Sequence, residues 1–163
     1  MLSRKVLAAS ASGVLFFILL GFFIPNPFGE TILSVHHYFE SALLSISGYL
    51  LYGTPILLIY GITCSVVSEK IAVFIGKKVK STRSELYISG VLHASFGFVF
   101  LGYGLIASLL FFAIDHLIKS RKLTVTRKQI VMALVLPVAV YVLCMGSLTT
   151  VDFFSGGWKH LLV

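Results

Sequence analysis

The sequence predicts an all-α, polytopic membrane protein, a helical bundle of five crossings with four as the alternative. Three observations carry this. The 163 residues are 58% hydrophobic and only 12% charged, with a mean hydropathy of +1.00, outside the range of soluble domains. The apolar runs are close to the roughly 20 residues that a helix needs to cross a bilayer. The basic residues gather at the ends of those runs, where topology and anionic headgroups place them. One transmembrane domain, residues 1–163, uses nearly the whole chain. The charge of +7, from 13 Lys and Arg against 6 Asp and Glu, therefore points to lipid headgroups and not to nucleic acid.

The first crossing is residues 6–24, from Val6 to Ile24. Arg4-Lys5 before an apolar run also resembles a secretory signal. Its small residues, Ala8 to Gly13, lie at the start of the run, however, and a cleavage site needs them after it. An uncleaved anchor is expected. Pro25-Asn26-Pro27 stops the helix, because proline lacks the N–H donor and restricts the residue before it. The loop to Ser41 holds no Lys or Arg and is expected outside the cytoplasm. Its His36-His37-x-x-Glu40 string lacks the order of an HExxH zinc motif, so no metal site is expected.

The second crossing, residues 42–67, is longer than required and contains Gly53-Thr54-Pro55. Pro55 predicts a bend, with the Thr54 hydroxyl available to a freed carbonyl. The basic segment 69–85 follows, and its IAVFIG stretch is expected as a tail of the helix or a short interfacial turn.

Residues 86–118 are too long for one crossing and short for two. Charge decides between them. One crossing leaves 8 Lys and Arg on one side and 5 on the other, whereas a hairpin puts 12 inside and 1 outside. The hairpin is favoured, with arms 83–101 and 104–119, about 28 and 24 Å at 1.5 Å per residue. Its turn is expected at Gly102, Tyr103 and Gly104, where glycine can adopt positive φ. Gly90, Ala94 and Gly97 share one face of the first arm, and Ala9 and Gly13 share one on the first helix, which favours close helix packing. The last crossing is 130–148, with Pro137 inside it. The tail bearing Phe153, Phe154 and Trp158 is expected along a membrane surface. The N-terminus is placed in the cytoplasm of a multi-pass cell-membrane protein.

YGTPILLIYG, LHASFGF and YGLIASLLFFAIDHLIKSRK together resemble a group of small multi-span membrane proteins of bacillus-type Gram-positive bacteria, over about residues 40–145. The resemblance implies an uncharacterised multi-helix membrane protein and transfers no functional residues.

Ionisable groups inside a bilayer are costly, so each one is a candidate for function. His93 lies within the first hairpin arm, where a bond to another helix would satisfy it as a packing residue. Proton or ligand handling, and metal or haem ligation with Cys64, are the alternatives. Asp115-His116 falls near the end of the second arm, where Asp115 is expected to pair with Lys119 at i,i+4. Cys64 and Cys144 form no CxxC and read as buried thiols near opposite faces. No Walker A, GxSxG, HExxH or CxxC motif is present, so no catalytic residue, metal or cofactor is expected and enzyme activity is not.

The leading functional expectation is a non-enzymatic protein acting by helix–helix contact, with itself or a membrane partner, as an accessory, regulatory or immunity-type subunit. The alternative is a small transporter or channel subunit with a polar path near Thr54, Pro55 and His93.

Overall fold

The computed structural model describes residues 2–29, 32–79, 82–121 and 123–155, and the side chains of all of these except 77–79 and 82–84. All the elements are helical: α1 (Leu2–Phe23), α2 (Val35–Ile56), α3 (Ile62–Val79), α4 (Thr82–Phe98), α5 (Leu101–Ser120) and α6 (Arg127–Ser155). A π-helical turn, Leu57–Gly61, joins α2 to α3 without a break, so the described residues form five rods. Four rods are long and apolar enough to cross a membrane, and α4, with 17 residues, is the short one.

Each rod starts further out than hydropathy suggests. α1 begins at Leu2 and takes Arg4 and Lys5 into its first turns. Ser34 caps α2, its side chain accepting from the His37 N–H at 3.1 Å, so the helix starts well before residue 42. IAVFIG continues α3 as helix. α6 extends from 127 to 155 and takes in Phe153 and Phe154; the tail beyond, with Trp158, lies outside the described residues.

Pro55 removes one helical donor, and the wider π turn follows directly. The hydroxyl of Thr54 does not reach a freed carbonyl. It is buried without a hydrogen-bond partner among the described residues.

α1 runs antiparallel along the α2–α3 rod from Ile46 to Glu69, Gly21 meeting Ile46, Phe17 covering Gly53, Gly13 facing Leu57, and Lys5 reaching Glu69. One buried cluster joins Val14, Phe16 and Phe17 to Ile46, Leu50 and Cys144, which ties α1, α2 and α6. A second joins Ala8 and Ala9 to Phe111 and Ile118 of α5. Cys64 and Cys144 are both free thiols.

The hairpin is present, but its turn is Val99–Phe100, not Gly102–Gly104. Phe100 N–H returns to the Gly97 carbonyl at 3.1 Å, and Leu101 takes the positive φ of 59°. Gly102 to Gly104 form the first turn of α5. Gly97 and Gly104 serve a different purpose, close approach of the arms. A Cβ on Gly97 would lie 2.7 Å from the Gly104 carbonyl oxygen and would collide with Ser108.

The up-and-down order puts the ends of α3 and α5 and the starts of α4 and α6 at the same end of the bundle as Arg4. Contacts of Arg4 with Glu69 and Asp115, of Glu85 with Gly76, and of Val125 with the Ala8 cluster fix this arrangement.

Candidate functional site

α5 presents Phe111, Asp115 and Ile118 on its buried face. Asp115 faces α1, and Arg4 donates to it through Nε at 2.6 Å and through its terminal nitrogen at 3.2 Å. The same terminal nitrogen reaches both oxygens of Glu69 on α3, at 3.0 and 3.2 Å. Lys5 lies deeper, with its side chain 1% exposed. Its Nζ contacts Glu69 Oε2 at 2.9 Å, Ser65 Oγ at 2.6 Å and Asp115 Oδ2 at 3.4 Å. Lys119, half exposed, completes the group on Glu69 Oε1 at 3.0 Å.

Asp115 therefore does not pair with Lys119. α1 supplies two cations that approach from inside the bundle, whereas Lys119 points outward along α5 and finds Glu69. Five charged groups on three helices satisfy one another, as buried charges must. Arg4, Lys5 and Glu69 were read from the sequence only as boundary charges. The signal was present nonetheless: an up-and-down order of five rods brings every one of these charges to the same end.

His93 is 4% exposed on α4. It does not bond to another helix. Its Nδ1 lies 2.8 Å from the Ser89 carbonyl one turn earlier, so Nδ1 carries the proton and donates. Nε2 is then an acceptor, buried, with no partner among the described residues. The ring stacks on Phe111 (centroids 6.0 Å) and leans on Phe112 (5.2 Å), which in turn stacks on His116 (6.1 Å). Three of the sequence candidates, His93, Asp115 and His116, thus converge on one region of α4 and α5.

His93 lines a cavity of about 220 Å³ among α1, the π turn, α4 and α5. Gly53, Leu57, Tyr60 and Gly61 form one wall, beside the Pro55 bend, and Gly97, Gly104 and Ala107 form the facing one. Thr54 and Pro55 precede the π turn that contributes to the wall and do not themselves line it. The lining contains no Asp, Glu, Lys or Arg, so the space is apolar and not the polar path expected there. Tyr60 closes one side, its hydroxyl donating to the Phe96 carbonyl at 3.0 Å and its ring edge-on to Phe100. Ile56, Phe100 and Tyr103, each about half exposed, mark the mouth on the outer surface.

A second cavity, about 270 Å³, lies at the charged end with Lys5, Glu69, Glu85, Asp115 and His116 in its wall. Phe112 lines this cavity and contacts His93, which lines the first.

His36 meets Glu40 at 3.2 Å on the exposed first turn of α2, at the i,i+4 spacing. No grouping of three or more His, Cys, Asp or Glu that could hold a metal occurs among the described residues. In comparisons with protein-family models, curated proteins and solved structures, no match was found.

Proposed function

We propose that this chain is a multi-pass membrane protein of five crossings, N-terminus cytoplasmic, that binds a small amphipathic molecule entering from the bilayer and does not transform it chemically. One observation carries the reading. A histidine that is 4% exposed lines an apolar cavity and has a buried ring nitrogen with no partner among the described residues. Buried polar atoms are almost always hydrogen-bonded, and an orphan on a residue that lines a cavity large enough for a ligand supports a binding site there. The mouth at Ile56, Phe100 and Tyr103 would face acyl chains, which supplies an entry route. The π turn beside it supports the same reading, since such turns recur at functional sites. This retains the place of the transporter alternative near Pro55 and His93, and replaces its polar path with an apolar binding cavity.

The experiment is photolabelling in reconstituted bilayers with a diazirine-bearing decyl probe. Saturable labelling of the peptide 96–111, abolished in Ala107→Phe, supports the reading. Labelling that is non-saturable and equal in both proteins overturns it.

The accessory role remains a second reading, favoured by the outer face of α6. There Gly146 has open space at its Cβ position beside exposed Ser147 and Thr150. Small residues of this kind let a partner helix approach closely. Crosslinking from a cysteine at 146 to a second copy or a partner would support it, and purely monomeric protein would dismiss it.

A further inference from the structure

We infer that the hairpin of α4 and α5 is re-entrant: its tip, residues 98–101, ends among the acyl chains of the far leaflet and does not emerge into water. This rests on the membrane placement proposed above and is independent of the binding role. Phe98, Val99, Phe100 and Leu101 are 67%, 67%, 48% and 72% exposed, four apolar side chains in a row with nothing polar between them. The other connection at this end of the bundle, from α1 into the first turn of α2, carries Asn26, Ser34, His36 and His37 among its apolar residues, the kind of side chain that a turn in water uses. Leu101 takes φ 59°, a left-handed conformation that glycine adopts without strain, although Gly102 stands next to it. A leucine so placed is unfavourable in water twice over, by its backbone and by its exposed apolar surface, and acyl chains remove the second cost.

Length points the same way. Arg4 and Asp115 fix one common level on α1 and α5, and the two helices run side by side from there, Ala8 and Ala9 against Phe111. From Arg4 to the end of α1 at Phe23 is about 28 Å at 1.5 Å per residue, close to the ~30 Å of a hydrocarbon core, whereas from Asp115 to Leu101 is about 21 Å. The tip therefore stops about 7 Å short of the end of α1. The arms counted above as two of the five crossings turn back beneath the far surface, and both of their outer ends stay on the cytoplasmic side.

A turn at this depth must find partners for its backbone within the protein. Phe100 N–H donates to the Gly97 carbonyl at 3.1 Å, and Gly104 N–H donates to the Phe100 carbonyl at 3.3 Å. The Tyr60 hydroxyl crosses from the π turn to the Phe96 carbonyl at 3.0 Å, where α4 runs out of donors of its own. Ser95, one turn before, returns its hydroxyl to the Val91 carbonyl at 2.9 Å. Tyr103, 55% exposed in the first turn of α5, is a ring of the kind that suits the headgroup boundary, which agrees with a tip lying just beneath it. The mouth of the cavity, marked by Phe100 and Tyr103, then opens among far-leaflet chains.

The test is the depth of nitroxide labels on single cysteines in reconstituted bilayers, with Cys64 and Cys144 replaced by alanine. Depth is read as collision with oxygen, which concentrates in hydrocarbon, against collision with a water-soluble nickel chelate. Val99→Cys is compared with Val138→Cys on the exposed side of α6 and with His36→Cys on the exposed first turn of α2. Oxygen contact is expected to exceed nickel contact at 99, as at 138, with the order reversed at 36. Phe98→Cys supplies the same reading should Val99→Cys fold poorly. If the tip labels report water as 36 does while 138 reports lipid, the re-entrant tip is overturned and the membrane bundle stands. If 138 also reports water, the membrane placement fails and the tip with it.

Discussion

Arg4 and Asp115, 111 residues apart, meet through Nε and Oδ1 at 2.6 Å, with a second contact of 3.2 Å to Oδ2, and so join the start of α1 to the end of α5. Two adjacent nitrogens of the guanidinium thus meet the two oxygens of one carboxylate, the pairing that favours arginine over lysine. Glu69 and Lys5 extend it to α3.

Asp115→Asn removes the charge that faces both Arg4 and Lys5, leaving two cations to share Glu69 with Lys119. The expected loss is about 3 kcal/mol, in the range for breaking a buried pair. Lys119→Ala, at a side chain 51% exposed, should cost under about 1 kcal/mol. Unfolding of both variants in the same micelles, read by circular dichroism, tests the contrast; equal losses would contradict it.

Exchanging the charges tests the geometry directly. Arg4→Asp and Asp115→Arg should each destabilise alone, and together recover about 1–3 kcal/mol of the summed loss, the coupling expected of residues in contact. A double-mutant cycle on thermal unfolding gives the number, and additive losses would refute the pairing.

The hairpin turn separates two glycines that look alike in sequence. Gly102→Ala adds a Cβ into open space within α5 and should be neutral or stabilise by about 0.5–1 kcal/mol. Gly97→Ala drives a Cβ into Ser108 and the Gly104 carbonyl and should cost about 1–3 kcal/mol. If Gly102→Ala is instead the damaging change, the turn lies at Gly102–Gly104, where the glycine pattern puts it.

Pro55→Ala restores the missing backbone donor and should draw the π turn back toward regular α-helix, narrowing the cavity wall at Leu57 and Gly61. Saturable decyl labelling should fall by about half or more while the protein stays folded. Unchanged labelling would detach the cavity from the proline.

Reporters fused after Lys80, after Arg121 and at Val163 test the proposed crossings. The first two should report the cytoplasm and the third the opposite side. Opposite sides for Lys80 and Arg121 would mean four crossings.

Hydropathy made the rods legible because crossing a bilayer imposes both length and apolarity. Their ends were not legible, because a hydropathy window stops at the first charge, and here the charges have partners that let the helix continue. Arg4, Lys5 and Glu69 all lie inside helices for that reason. The charge rule did favour the hairpin, and the five rods alternate as that reading requires. Gly102 and Gly104 misled in a specific way. Glycine serves both sharp turns and close packing, and only the contact of Gly104 with Gly97 tells them apart. Among the candidate residues, His93 could be named from its placement in an apolar run. Its orphaned nitrogen could not, since that depends on Ser89 taking the other one.

The ion network also sets where the molecule can yield. Its five charges bolt α1, α3 and α5 together at one end, and Tyr38 and Ser45 hold α2 to the Phe22–Pro25 segment at the other, by hydrogen bonds to the Phe22 and Pro25 carbonyls. Beside the gap between Ile56 and Tyr103, the polar tie among the described residues is the single hydrogen bond from the Tyr60 hydroxyl to the Phe96 carbonyl, at 3.0 Å. Opening at that seam is expected to cost the least, since one such bond stands against the several at either end. On that expectation the fold resembles a clothes-peg sprung at its charged end, and mutations that loosen the spring should be felt at the jaws.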